Sequence, residues 1–160
     1  MNNWGDFGVK KSFKYRAVNA LIMNIPVAAA ISLTAQLLAV HTVIPKLFVI
    51  NFCIAYVISF VIGVSIPLVP WGIAFAKKCH TKPESLPFGL CINVVVNLGY
   101  VLINCLILTY FNVCMLGHAP IQAYFIGMAT TFLPIYAVGY IVSFLWNRPA
   151  EALTKKICNE

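Results

Sequence analysis

The residues that could do chemistry in this 160-residue chain are neutral amides and hydroxyls that interrupt long apolar stretches. Such groups carry no charge near neutral pH, but they can form hydrogen bonds with an uncharged or weakly charged small solute. They are costly to leave unpaired in lipid, so we expect them to point into a helix bundle or an oligomer contact. The candidate solute-binding residues are Asn24, Ser59, Asn97, Asn104 and Thr131.

Asn24 and Asn97 are expected to lie at similar depths in the membrane. Each falls early in a predicted spanning helix, roughly 10 to 14 Å from the entrance at a rise of 1.5 Å per residue. By their spacing, Asn93, Tyr100 and Asn104 share the helical face of Asn97. These amides could hold helices together, or they could line a crevice for a neutral or zwitterionic solute, and the sequence leaves both interpretations open.

Charged residues are missing from all four predicted spans. Proton-coupled exporters rely on an intramembrane carboxylate and voltage sensors rely on arginines, so neither class is expected. An enzyme is not expected either, because the sequence has no HExxH motif and no nucleophile paired with a base. His41 and His118 are interpreted as interfacial polar residues, so we predict no metal and no cofactor.

The composition places the candidate residues on membrane-spanning helices. Hydrophobic residues make up 61% of the chain and charged residues 9%, and one soluble core cannot hide so much apolar surface. We therefore predict an all-α integral membrane protein whose main partner is the lipid bilayer. The net charge of +7 comes from residues that flank the spans, which fits anionic headgroups better than nucleic acid. The four predicted spans are 17–40, 47–71, 88–116 and 121–146.

Lys and Arg concentrate before the first span, between the second and third, and after the fourth. The positive-inside rule then places both termini in the cytoplasm, with Glu151 solvated beside lysines. The single membrane domain, 1–160, is predicted to contain a basic and aromatic interfacial leader (1–16), a first helical hairpin (17–76), a cytoplasmic linker (77–87), a second helical hairpin (88–147) and a cytoplasmic tail (148–160).

A stripe of small and polar residues recurs every four positions in the second and fourth spans, close to one helical turn. The first copy is Asn51, Ala55, Ser59, Gly63 and Pro67, and the second is Gly127, Thr131, Ile135, Gly139, Ser143 and Asn147. Aligning Phe60 with Tyr136 and Asn24 with Asn97 predicts two hairpins in a parallel repeat about an axis along the membrane normal. Gly63 is then expected to provide close packing or gating, as is its counterpart Gly139.

Three prolines, Pro26, Pro67 and Pro134, are predicted to interrupt spans and to contribute to packing or gating. Pro26 offers no N–H to the Ile22 carbonyl, so it should either kink the first helix or leave a polar backbone atom within the membrane.

The chain also resembles a tandem, two-unit form of the DUF2798 family of bacterial membrane proteins. The resemblance rests on LIMNIP at 21–26, on NFCIAYVISF at 51–60 and on an exit from the second span through Pro67. It departs in the second half, where Ile135 stands in place of the polar Ser59. The family is named for unknown function, so the resemblance implies an architecture and a multi-pass location in the bacterial cytoplasmic membrane, but no mechanism.

Taken together, these patterns predict a small membrane transporter or channel for an uncharged or weakly charged solute, without a titratable residue in the membrane. The alternative is a non-transport scaffold or regulatory subunit that packs its small-residue stripes against partner helices. Four helices enclose little space, so we also expect a homo-oligomer.

Overall fold

Within the residues that it describes, 12–83 and 85–158, the computed structural model contains only helical regular elements. These are α1 (Phe13–Val40), α2 (Pro45–Ser65), α3 (Leu68–Lys78), α4 (Leu86–Thr109), a π-helix (Tyr110–Leu116) and α5 (Ile121–Cys158). Four helical segments are long and apolar enough to cross a membrane: Phe13–Ala39, Pro45–Ser65, Leu86–Leu116 and Ile121–Cys158. The predicted all-α fold, with four helices long and apolar enough to span a membrane, is therefore confirmed. Most of the predicted leader, 1–16, and Glu84 in the linker lie outside the described residues.

Serine hydroxyls begin the two helices that enter the bundle from the same end. Ser12 Oγ accepts a hydrogen bond from the Tyr15 N–H at 3.2 Å, and Ser85 Oγ accepts one from the Phe88 N–H at 3.3 Å. Each bond satisfies one of the backbone donors that a helix leaves free in its first turn. Short N-terminal sequence signals therefore define where α1 and α4 start.

All three histidines lie at the ends of helical segments in the left-handed backbone conformation. The φ angles are 55° at His41, 54° at His80 and 48° at His118. This conformation terminates a helix because the chain can no longer continue the right-handed spiral.

The second predicted span, 47–71, is two helices rather than one. Pro67 has no N–H and disfavours helical geometry in the residue before it, and Ile66 accordingly is extended, with φ −103° and ψ 127°. The chain resumes as α3, which packs along α4. A Cβ atom added to Gly72 would lie 2.9 Å from the Ile92 carbonyl oxygen, so the two backbones meet there. By contrast, α5 continues through Pro134 and then through the segment predicted as a tail.

The bundle core lies between α1, α2, α4 and α5. The first stripe faces this core, since Asn51, Ala55 and Ser59 are each at most 2% exposed. The apolar core residues are Val27, Ala28, Ile31, Ala55, Val101, Cys105, Leu108 and Ile135. Large apolar side chains such as Leu133 and Leu145 instead point outward from α5. The outward apolar side chains are suited to contact with lipid tails.

Candidate functional site

A cavity of about 630 Å³ occupies one end of the bundle. Its walls come from the first half of α1, the α2–α3 break, the first half of α4 and the second half of α5. This volume is in the range of small-molecule binding sites. The break at Pro67 helps to form it, because a continuous helix would not turn its backbone into this space.

Asn24 and Asn97 both line this cavity. Their exposed fractions are only 3% and 2%. The Asn97 Nδ2 donates a hydrogen bond to the Tyr136 carbonyl at 3.0 Å, but Asn97 Oδ1 and Asn24 Nδ2 have no hydrogen-bond partner. Unsatisfied buried amide atoms are costly, so a ligand or an ordered water that reached them would be favoured.

The other three candidate residues do not line the cavity. Asn104 Nδ2 donates to Ser59 Oγ at 2.9 Å, and this bond joins α4 to α2. Thr131 donates to the Gly127 carbonyl of its own helix at 2.8 Å. Ser59, Thr131 and the Nδ2 of Asn104 therefore bond to the protein itself, whereas the buried Asn104 Oδ1 has no hydrogen-bond partner.

Several polar lining residues were not among the sequence candidates: Asn19, Asn93, Tyr100, Ser143 and Asn147. The signal for four of them was present, since Asn93 and Tyr100 share the face of Asn97, and Ser143 and Asn147 belong to the second stripe. Asn19 could not be found this way, because only the packing of the helix ends brings it to the Thr154 hydroxyl, which donates to Asn19 Oδ1 at 3.2 Å.

A ladder of side-chain to backbone hydrogen bonds holds the α4–α5 wall of the cavity. Asn93 and Asn97 donate to the carbonyl oxygens of Tyr140 and Tyr136 at 3.1 and 3.0 Å. In return, Tyr136 donates to the Val94 carbonyl at 3.2 Å and Tyr140 donates to that of Leu90 at 3.3 Å. Because donors run in both directions between the helices, this wall should change shape little.

The predicted packing glycines both lie where helices come close. A Cβ atom added at Gly63 would lie 2.6 Å from Tyr100 Oη and 3.1 Å from Ala20 Cβ. One added at Gly139 would lie 3.1 Å from Asn97 Oδ1. Both glycines therefore keep space free beside cavity-lining side chains of α4.

The three prolines have different surroundings. Pro67 lines the cavity at the α2–α3 break, whereas Pro134 lies inside α5 and does not line it. Pro26 frees the Ile22 carbonyl as expected, and the Trp146 indole N–H donates to that oxygen at 3.2 Å. The backbone carbonyl that Pro26 leaves free in α1 thus accepts a hydrogen bond from α5.

Two charged side chains, Arg16 and Glu151, line the cavity together with its amides. The Glu151 carboxylate is 3.4 Å from the Lys155 ammonium one helical turn later. A neighbouring lysine was expected for Glu151, but its position in a cavity wall was not. The reason is that α5 continues as a helix to Cys158 and so carries Glu151 along the bundle.

The opposite half of the bundle holds a second pair of asparagines. Asn51 and Asn112 exchange hydrogen bonds there, and the apolar core fills the space between this pair and the cavity. The cavity therefore lies toward the end of the bundle that holds the start of α1 and the end of α5.

No group of three or more His, Cys, Asp and Glu side chains that could hold a metal ion occurs in the described parts of the chain. Comparison with protein-family models, with curated protein sequences and with solved structures gives no significant match.

Proposed function

We propose that this protein is a small membrane transporter or channel for an uncharged or weakly charged small solute, and that the solute binds in the cavity between Asn24 and Asn97. The observation that carries the proposal is a chamber of about 630 Å³ whose lining includes two buried amides with unpartnered atoms. A bundle in which such amides served only to join helices would pair them with one another, as Asn51 and Asn112 are paired.

The position of the cavity at one end of the bundle suggests how transport would proceed. A solute would enter the cavity and then meet the Asn51–Asn112 pair and the apolar core, which lie between the cavity and the other end of the bundle. Release on the other side would require these contacts to separate while the cavity end closes. The break at Pro67 is a suitable hinge, because α3 can move without breaking the hydrogen bonds inside α2.

We further propose that both termini lie in the cytoplasm, that the membrane is the bacterial cytoplasmic membrane, and that the protein forms a homo-oligomer. The distribution of Lys and Arg supports the orientation. Native mass spectrometry of the detergent-solubilised protein should show a multimer, and a strictly monomeric particle would remove the proposed oligomer.

We propose a parallel repeat of two hairpins, in a register that differs by one helical turn from the sequence alignment. Support comes from two stacked ring pairs. Phe52 and Tyr56 have centroids 5.9 Å apart and an interplanar angle of 24°, and Phe132 and Tyr136 have 6.1 Å and 23°. This similarity favours aligning Tyr56 with Tyr136, whereas the sequence alignment placed Phe60 there.

The hydroxyl groups of the same tyrosines support this register. Tyr56 donates to the Leu21 carbonyl of α1 at 3.1 Å, and Tyr136 donates to the Val94 carbonyl of α4 at 3.2 Å. Leu21 and Val94 are also three residues before Asn24 and Asn97, so the two hairpins share a contact at corresponding positions.

A flux assay with matched asparagine variants tests transport. Purified protein is reconstituted in liposomes, and swelling is followed by light scattering with urea, glycerol and larger polyols as neutral probes. Flux above that of empty liposomes is expected to fall several-fold in Asn24→Ala and Asn97→Ala, with folding and oligomeric state unchanged. Asn104→Ala is the control, because it also removes a membrane amide but lies outside the cavity.

The same assay separates transport from the alternative of a scaffold or regulatory subunit. If the wild-type protein gives no flux and the Asn24 and Asn97 variants instead lose their oligomeric state, the scaffold function replaces the transporter.

A further inference from the structure

The cavity reaches the outside of the bundle at the start of α3. Pro67, Val69 and Pro70 line the cavity, and all three are also exposed. From α1, Ala20 and Met23 line the same space. Within the described residues, α1 packs on α2 and α5 while α3 packs on α4, and α1 and α3 have hardly any contact with each other. A side opening therefore lies between α1 and the first turn of α3.

This opening lies beside a helix that is able to span the membrane. The Leu68 side chain occupies the space next to Gly99, and Gly72 meets Ile92, so α3 runs along the first half of α4. That half of α4 belongs to the spanning segment Leu86–Leu116. At this depth a side opening would face lipid tails rather than water.

The outer surface of α3 is apolar near the opening. Val69 is 39% exposed and Trp71 is 55% exposed, and α3 carries no charge before Lys77. At a rise of about 1.5 Å per residue, Val69 lies about 12 Å along the helix from Lys77. Lys77 can therefore lie at the headgroups while Val69 contacts the hydrocarbon. A molecule dissolved in the bilayer could then enter the cavity through its side.

Two amides on the cavity lining have polar atoms that an occupant can reach. Asn19 Oδ1 accepts a hydrogen bond from the Thr154 hydroxyl, which joins α5 to α1. Neither Asn19 Nδ2 nor the Asn147 amide makes a hydrogen bond with the described residues. Unlike Asn24 Nδ2 and Asn97 Oδ1, these atoms are not fully enclosed by protein. The α1 and α5 sides of the cavity therefore offer both donors and an acceptor.

The charges on the lining do not favour an ion. Arg16 and Glu151 both line the cavity, so its charged side chains sum to zero. The Glu151 carboxylate also has the Lys155 ammonium at 3.4 Å. A solute with a net charge would leave that charge uncompensated, which is costly away from water. Amides both donate and accept hydrogen bonds, as hydroxyl groups do, so the lining suits an uncharged headgroup that carries hydroxyls.

We propose that the solute is an uncharged single-chain amphiphile of the monoacylglycerol type, which enters from the bilayer between α1 and α3. Its hydroxyl groups bond to Asn19 and Asn147, and its hydrocarbon chain lies against Val27, Ile92 and Val96. A cavity of about 630 Å³ suits one small molecule with a single chain. The assignment rests on the proposed function and names the solute class of that same cavity.

Photolabelling of the full-length protein in liposomes tests this assignment, without detergent because detergent molecules are themselves amphiphiles. The probe is 1-monodecanoylglycerol with a diazirine in its chain, and intact-mass spectrometry measures the labelled fraction. Plain 1-monodecanoylglycerol should compete about tenfold more strongly than decyl sulfate or decyltrimethylammonium, which have similar chains but a permanent charge. It should also compete about tenfold more strongly than glycerol, which has the headgroup without the chain.

Two pairs of variants locate the headgroup and the opening. Asn147→Ala should lower labelling about fivefold, while Gln122→Ala, which removes an amide at the other end of α5 outside the cavity, should have no effect. Val69→Trp should lower labelling several-fold because the indole fills the opening. Val49→Trp, the same change at an exposed valine of α2 outside the lining, should not. Size-exclusion profiles verify that all four variants are folded.

The outcomes distinguish this assignment from the proposed function. Equal competition by glycerol or by the charged amphiphiles, or unchanged labelling in both Asn147→Ala and Val69→Trp, overturns the amphiphile assignment. Polyol flux that falls in Asn24→Ala and Asn97→Ala would then still support a transporter. Absence of specific labelling, together with absence of polyol flux in liposomes, overturns the proposed function as well.

Discussion

Asn51 and Asn112 form a reciprocal amide pair between α2 and the π-helix. Asn51 Nδ2 donates to Asn112 Oδ1 at 3.2 Å, and Asn112 Nδ2 donates to Asn51 Oδ1 at 3.1 Å. Asn112 Nδ2 also donates to the Leu108 carbonyl at 2.8 Å. Asn51 is only 2% exposed, so its amide depends on the hydrogen bonds that Asn112 supplies. The pair therefore joins the two helices at the end opposite the cavity.

Removing either member of this pair should destabilise the protein. Asn51→Ala or Asn112→Ala is expected to lower the free energy of unfolding by about 1 to 2 kcal/mol, because the remaining amide loses its partner away from water. The double variant should cost less than the sum of the singles by roughly 1 kcal/mol. Unfolding in mixed micelles measures all four forms, and additive single effects would contradict the pairing.

The bond from Trp146 to the Ile22 carbonyl should depend on Pro26. Trp146→Phe is expected to cost about 1 kcal/mol of unfolding free energy, since the freed carbonyl loses its donor. In the Pro26→Ala background the cost should fall to about half or less, because an alanine N–H can take the Ile22 carbonyl within α1. The loss of ring size is the same in both backgrounds and cancels in the comparison. An identical cost in both would mean that the indole N–H does not serve this carbonyl.

Alanine at Gly63 and at Gly139 should destabilise the bundle for different, separable reasons. At Gly63 the new Cβ meets Tyr100 Oη at 2.6 Å, and without that oxygen the nearest Tyr100 atom is 3.8 Å away. Tyr100→Phe should therefore recover much of the stability lost in Gly63→Ala. It should not rescue Gly139→Ala, where the contact is with Asn97. Thermal unfolding of the six single, double and parent forms tests this, and equal rescue at both glycines would contradict the contact.

Leucine at either glycine is a harsher test of the close packing against α4. Gly63→Leu and Gly139→Leu should disrupt packing to a comparable extent, because both positions face α4 with little space for a side chain. Yield of folded protein after size exclusion gives the comparison, and a large asymmetry would argue against equal crowding at the two glycines.

The contact between α3 and α4 can be tested with the native cysteines. The Cys79 thiol, just after α3, lies near the Cys91 thiol on α4, and neither is in a disulfide. Mild oxidation with copper phenanthroline should join them within one chain, which intact mass after alkylation detects as two protected thiols. Cys91→Ser serves as control and should leave Cys79 open to alkylation. Continued alkylation of both thiols after oxidation would show that α3 does not lie on α4.

Local sequence determined the number and type of the spanning helices. An apolar run in lipid must satisfy its backbone hydrogen bonds within itself, so length and hydropathy suffice to identify α1, α4 and α5. The four-residue stripe also identified the buried face of α2, since helical periodicity alone decides which side chains share a face. The sequence likewise identified the free Ile22 carbonyl, because it follows from the chemistry of Pro26.

Tertiary packing decided which polar groups are paired and which remain free. Ser59 and Asn104 looked equivalent to Asn24 and Asn97 as membrane polar residues, yet the first two bond to each other and the second two line a cavity. The rotation of each helix about its axis sets these partners, and it depends on contacts between residues distant in sequence. The same holds for the chamber, whose walls exist only because the break at Pro67 returns α3 to α4 and the continued α5 brings Glu151 alongside α1.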